Sequence, residues 1–302
     1  MSHTILVGID GTERGLDAMA LGRLVAEGTG AELVATHVYE RATPHPGHAG
    51  WGSFMWARGE RMLLDAIGED SAIRQEIVES SSPARGLHEL AEREHAELIV
   101  VGSSHHAGLG RVLAGSVGER VLHGAPCGVA VAPAGYRDQD SELKLVCVGF
   151  DGMPESEAAL TRAVELARTA GASLRVLTVV EPVEIPLEEK GYAFAGVGEL
   201  ARAREELMRS HLDRGLALVP EDIEVSGKLV TPGMPTLADQ KDVDVLVVGS
   251  RGYGPIRRLL LGSVSNRLVR SAPCPVIVYP RSAEREGEEA HSTADGPARA
   301  FS

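Results

Sequence analysis

Aromatic side chains are scarce in this 302-residue chain, at 4%, so its core is expected to be aliphatic: Val, Leu, Ile and Ala. Positive charge is in deficit as well. Lys and Arg number 30 against 43 Asp and Glu, a net charge of −13. That balance argues against a nucleic-acid partner, because gripping a phosphate backbone needs basic surface. No apolar run approaches the roughly 20 residues of a membrane span. The opening run His3–Asp10 reads as a strand, with neither the basic nor the apolar stretch of a signal segment. Three cysteines are too few for a disulfide framework. Cys127 and Cys274 stand in matching Ala-Pro-Cys triplets and Cys147 lies inside an apolar run, which predicts buried thiols in a reducing cytoplasm. Catalytic signatures are missing too. There is no Gly-x4-Gly-Lys-Ser/Thr loop, no Gly-x-Ser-x-Gly elbow and no pair of carboxylates with an obvious base.

What the chain does have, it has twice. Val101–Gly118 (VGSSHHAGLGRVLAGSVG) and Val248–Ser265 (VGSRGYGPIRRLLLGSVS) lie 147 residues apart, and 14 of the 32 positions from Gly102 to Pro133 are identical to their counterparts. A second block repeats at an offset of 141, matching Val7–Gly11 to Val148–Gly152. The chain is therefore a tandem duplication of one unit. Residues 1–135 form the first domain, 136–143 a polar linker and 144–281 the second domain. The charged tail 282–302, almost without apolar residues, reads as disordered.

Within each unit, short Val/Leu/Ile runs alternate with helical stretches. Strands are predicted at Thr4–Ile9, Glu32–Val38, Ile73–Val78, Glu97–Val101 and Gly128–Ala132. In the second unit they are predicted at Lys144–Phe150, Ser173–Val179, Ile223–Val230, Asp244–Val248 and Pro275–Tyr279. The central runs are apolar throughout rather than alternating, as in parallel strands covered on both faces. Helices are expected at Glu13–Glu27, about Ser53–Gly68, Arg85–Glu94 and Ser116–His123, and at Glu155–Thr169, Leu200–Leu218, Met234–Gln240 and Ser263–Arg270. The alternation predicts an α/β chain of two tandem doubly wound, Rossmann-like domains.

The repeated loop carries the chemistry. In the second unit a strand ends in Gly249-Ser250-Arg251-Gly252, nine residues follow, and Gly262-Ser263-Val264-Ser265 opens a helix. Glycines let the backbone turn sharply and approach a ligand closely. Hydroxyls and unpaired N–H groups in the first turn of a helix suit a polyphosphate. Arg251 stands close enough in sequence to neutralise phosphate charge. Asp151 closes the first strand, beside the same crevice. A carboxylate repels phosphate, but it accepts from a ribose hydroxyl or an adenine amine, or holds a metal. Asp with glycines therefore reads as a nucleoside polyphosphate site.

This pattern, Gly-x2-Gly-x9-Gly-Ser after a strand with a first-strand Asp, closely resembles the ATP-binding universal stress protein family. So does the closing Ala-Pro-Cys-Pro-Val-Ile-Val of the second unit. The resemblance covers residues 1–281. It implies five-stranded parallel sheets of order 3-2-1-4-5 with ATP at the strand C-termini, and the polyphosphate in turn implies Mg²⁺ or Mn²⁺. It also implies pairing of domains through their last strands and a role in stress. The matching second-unit residues are Asp151, Val179, Gly249, Gly252, Gly262, Ser263, Val264 and Ser265, with Val179 against the adenine. Met153 departs from the Ser or Thr that many members carry two residues after the Asp. The first unit matches at Asp10, Val38, Gly102, Gly115, Ser116 and Val117 and has Thr12 where the second has Met153. Its second motif glycine, however, is His105, which either blocks the phosphates or contacts them.

Other readings stay open at this stage. Asp10 and Asp151 could simply cap the following helices. Pro44–Trp56, which holds both tryptophans and has no second-unit equivalent, could be a lid, a protein contact or a packed loop. The histidines read as surface residues, without a partner at structural-zinc spacing. The leading expectation is a cytoplasmic ATP-binding regulatory module of the stress response, carried first by the second-unit residues Asp151, Gly249, Gly252, Gly262 and Ser263. It carries no catalytic group, and its two domains form an internal pseudo-dimer through the last strands, with further homodimer formation possible. Set against it are a slow ATPase and an assembly protein that binds no nucleotide.

Overall fold

The computed structural model describes residues 3–41, 50–104, 116–139, 142–180, 194–230, 242–250 and 272–280. The first unit runs β1 (Thr4–Gly8), α1 (Glu13–Thr29), β2 (Glu32–Glu40), α2 (Trp51–Ile67), β3 (Arg74–Ser80), α3 (Pro83–Glu94), β4 (Leu98–Gly102), α4 (Ser116–Leu122) and β5 (Gly128–Ala132). The second runs β6 (Leu145–Gly149), α5 (Pro154–Ala170), β7 (Ser173–Val179), α6 (Phe194–Ala217), β8 (Val225–Val230), β9 (Val245–Gly249) and β10 (Val276–Tyr279). The helices expected at Met234–Gln240 and Ser263–Arg270, and the tail 282–302, lie outside the described residues.

The strands form one ten-stranded sheet of order β3-β2-β1-β4-β5-β10-β9-β6-β7-β8. Each half has the order 3-2-1-4-5 and is parallel within itself. The halves meet where β5 and β10 pair antiparallel, in the register Val276↔Val131, Ile277↔Ala130, Val278↔Val129. An apolar last strand left as an open edge would invite promiscuous pairing. Here each covers the other, and all six residues are fully buried. The central strands β1, β4, β6 and β9 are apolar and buried along most of their length, which is why their sequences run without alternation. β3 and β8, at the two outer edges, are half exposed.

Two aliphatic cores sandwich the sheet. One joins it to α1, α2, α5 and α6, through Leu21, Leu63, Leu160 and Leu212 among others. The other joins it to α3 and α4, through Leu87, Leu90, Val121 and Leu122. Two helix starts differ from expectation. α2 begins at Trp51 rather than about Ser53, so the stretch Pro44–Trp56 enters the helix at its first tryptophan. α6 begins at Phe194 rather than Leu200. Gly196 and Gly198 in that first turn are poor helix formers and masked the start.

The linker is not featureless. Tyr136–Asp138 form a single 3-10 turn docked on α1 through Asp17, whose side chain is fully buried. The Asp17 carboxylate accepts from the Gly135 N–H at 2.9 Å, the Arg137 N–H at 3.2 Å and the Arg14 guanidinium at 3.2 Å. The corresponding residue of α5 is Ala158, so this clamp belongs to the unit that the linker leaves. A buried carboxylate is tolerable only with such partners. Removing it strands two part-buried N–H groups and a guanidinium. Asp17→Ala is expected to cost about 2–4 kcal/mol in urea unfolding, whereas an exposed carboxylate such as Glu142 exchanged for Ala should leave the midpoint in place. Burial pushes the Cys127, Cys147 and Cys274 thiols up to about 12. All three cysteines are free. A thiolate-seeking disulfide reagent at neutral pH should therefore react with them only after unfolding.

Candidate functional site

The first unit carries a cleft of about 820 Å³ at the C-terminal ends of β1, β2 and β4. This is the switch point, where β1 gives way to β2 on one side and β4 on the other. β1 runs into Asp10, and Gly11 then turns the chain at φ +75° into α1. The second unit repeats the turn, with Gly152 at φ +78° after Asp151. Both carboxylates are exposed, and each closes its turn by accepting a backbone N–H two residues on, from Thr12 at 2.9 Å and from Met153 at 3.1 Å. Neither Asp is itself the helix cap. Thr12 is the N-cap of α1, accepting from the Arg14 N–H and donating its hydroxyl to Asp10 at 2.7 Å. Met153 holds the same place on α5 and makes no side-chain cap bond.

Gly102 and Gly249 end β4 and β9, and their lack of a side chain has a packing cause. A Cβ on Gly102 would stand 2.1 Å from the Arg14 carbonyl oxygen, and one on Gly249 would stand 2.3 Å from that of Glu155. The first turn of the same unit's leading helix thus lies directly on the strand end. This approach brings the α1 N-terminus, the Asp10 turn and the end of β4 around one space.

Of the residues expected at the first site, Asp10, Val38, Gly102 and Val117 line the cleft together. Ser116 opens α4 beside Val117. His105 and Gly115 lie outside the described residues. In the second unit, Asp151, Val179 and Gly249 sit at the ends of neighbouring strands β6, β7 and β9. Arg251, Gly252, Gly262, Ser263, Val264 and Ser265 lie outside the described residues.

The cleft also has walls the motif did not reveal. Arg14 lines it from α1, and Trp51, Met55, Arg58 and Met62 line it from α2. His37 lines it from β2. The His37 Nδ1 meets the Ile9 carbonyl at 2.8 Å, so Nδ1 carries a proton and Nε2 is left as the ring's second polar atom. Thr178 meets the equivalent Phe150 carbonyl through its hydroxyl, also at 2.8 Å. Thr36 lines the cleft as well, and its hydroxyl is buried without a hydrogen-bond partner among the described residues. The second unit has Leu177 at that position. Only the two tryptophans hinted at the α2 wall, since they fall in a stretch the second unit does not share.

Among the described residues, no group of three or more His, Cys, Asp or Glu could hold a metal ion, and no helix is long and apolar enough to cross a membrane. A cation here would need oxygens from the ligand in addition to Asp10 or Glu40, the cleft's carboxylates.

Comparison with known proteins gives a consistent picture. The model of the universal stress protein family matches residues 1–133 and again 142–280. A universal stress protein of Mycobacterium tuberculosis is 31% identical over 299 residues, spanning 93% of this chain and 98% of the relative. One of Mycolicibacterium smegmatis is 31% identical over 228 residues, spanning 73% of this chain and 74% of the relative. Among solved structures, a universal stress protein from Archaeoglobus fulgidus superposes with a TM-score of 0.65 at 21% identity, covering 93% of this chain and all of the other. That likeness speaks for the fold.

The glycine geometry separates packing from ligand binding. Gly102→Ala and Gly249→Ala should each lower stability by about 2–3 kcal/mol with no nucleotide present, because a strand end or a helix must shift to admit the methyl. If these glycines served a ligand alone, urea midpoints of the nucleotide-free protein would not move.

Proposed function

The chain belongs to the universal stress protein family, and we propose that it is a cytoplasmic nucleotide-responsive binding module that takes ATP at the switch-point cleft of its first domain. The observation that carries the reading is the convergence of Asp10, Val38, Gly102 and Val117 on that one cleft. Asp10 accepts from the ribose. Val38 and the apolar wall behind it take the base. The phosphates are assigned to Gly102 and Ser116, together with His105 and Gly115 of the stretch between them. Thr12, already bonded to Asp10, fixes the carboxylate's orientation. Mg²⁺ or Mn²⁺ arrives with the polyphosphate, whose oxygens complete a coordination shell the protein alone does not supply.

The same reading extends to the second domain through Asp151, Val179, Gly249, Arg251, Gly252, Gly262, Ser263, Val264 and Ser265. It is the weaker site of the two on the described features. Met153 offers no hydroxyl to Asp151, and Glu155 stands where the first domain has Arg14. The paired strands β5 and β10 support an internal pseudo-dimer, in which nucleotide occupancy favours the arrangement that binds it better.

The test is direct. Nucleotide released from the freshly purified protein on denaturation should be ATP, at about one per chain, and ATP with Mg²⁺ should bind in calorimetric titration. Asp10→Ala should weaken that binding roughly 10–100-fold, the worth of one charge-assisted hydrogen bond. Asp151→Ala should leave the tighter site intact. Absence of released nucleotide together with a flat titration would exclude the reading.

A further inference from the structure

Two stripes run along α2. Gly59, Leu63 and Ile67 face the sheet and are buried. Trp51, Met55, Arg58 and Met62 follow one another at helical spacing on the stripe that lines the cleft. Of this second stripe only Met62 also packs against the core. The Trp51 ring is 40% exposed, and Phe54 braces it, the ring centroids 6.0 Å apart and the planes tilted by 39°. Arg58 is exposed and has no ion-pair partner among the described residues. A flat aromatic face, two adaptable thioethers and a guanidinium without an ion pair among the described residues are the parts of a site for an aromatic ring joined to an anion.

The stripe lies across the sheet from the wall assigned to the base. α2 packs in one core and α3 in the other, yet Trp51 on α2 and Leu87 on α3 line the same space. At about 820 Å³ the cleft is near the top of the range for small-molecule sites, roughly 300–1,000 Å³. Its lining by α2 on one side and α3 on the other carries it around the strand ends.

The second domain serves as an internal comparison. Met62 covers the Gly11 turn, and His211 covers the Gly152 turn, which aligns α2 with α6. On that alignment Trp51 and Arg58 correspond to Leu200 and Leu207. The indole face is thus a feature of the first domain alone, while on the α6 stripe a guanidinium stands at Arg204, in the place of Met55.

We propose that the α2 side of the first-domain cleft is a second subsite, with Trp51 as stacking platform and Arg58 as counter-charge, so that this domain takes dinucleoside polyphosphates: two nucleosides joined through a phosphate chain. This rests on the nucleotide reading of the same cleft. One base lies by Val38, the chain of phosphates passes the strand ends, and the second base stacks on Trp51.

The probe is diadenosine tetraphosphate, titrated against the full chain beside ATP. Trp56 is exposed and does not line the cleft, so Trp56→Phe leaves Trp51 as the sole indole reporter. In that background diadenosine tetraphosphate should quench the fluorescence and bind about tenfold or more tightly than ATP, in keeping with roughly 1–3 kcal/mol for one stacked base. In the Trp56-containing chain, followed by calorimetry, Trp51→Ala should remove that advantage and leave ATP affinity within about twofold, Trp51→Phe should keep most of it, and Arg58→Gln should reduce it. Equal affinities for the two ligands, or equal weakening of both by Trp51→Ala in a protein with unchanged circular dichroism, would overturn the subsite while leaving the ATP site standing. Failure of both ligands to bind would bring down the nucleotide reading and the subsite with it.

Discussion

The functional geometry of this chain depends on one close approach, the first turn of a helix laid against the glycine that ends a neighbouring strand. Arg14 presses on Gly102 in the first domain, and Glu155 presses on Gly249 in the second. The approach fixes where α1 starts. That start fixes the turn through Gly11, and the turn presents Asp10 at the mouth of the switch point. Without a bare backbone at the strand end, the helix would ride outward and the cleft would lose the wall that carries its carboxylate. The same contact explains why these glycines survive in both copies of a duplicated sequence.

Duplication kept the frame and altered the furnishings. Both halves have the same strand order, the same left-handed turn after the Asp and the same buried last strand at the seam. The walls then diverge. Thr12, Arg14 and Thr36 in the first domain are Met153, Glu155 and Leu177 in the second. Each change removes a polar or cationic group from the second domain or reverses its charge. Asp17, which ties the linker to α1, becomes Ala158. Arg14 belongs to both systems at once, since it lines the cleft and donates to Asp17. The chain is thus a pair of like scaffolds with unlike chemistry, and equal occupancy of two equal sites is not what its side chains suggest.

Much of the fold was legible in the sequence because the signals were local. Apolar runs such as Leu98–Val101 read as strands covered on both faces, the repeat set their number, and the family resemblance implied their order. Helix starts were less legible where composition misled, as at Gly196 and Gly198 in α6 and at the aromatic start of α2. Of the residues the motif grouped in the first unit, Asp10, Val38, Gly102 and Val117 all line the candidate cleft. It was illegible where it depends on tertiary neighbours. The partners of Asp17 are amides 118 and 120 residues away. His37 reads as one more histidine until the Ile9 carbonyl is seen beside it. Trp51 and Arg58 become a wall only because α2 leans over the strand ends.

Hydrogen–deuterium exchange of the full chain with and without ATP and Mg²⁺, resolved by peptide, tests the central claim most directly. The account predicts new protection in the segments spanning residues 8–15, 36–40 and 101–104, which meet only at the first-domain cleft. Exchange unchanged in all three segments at saturating nucleotide, or protection confined to the second domain, would contradict it.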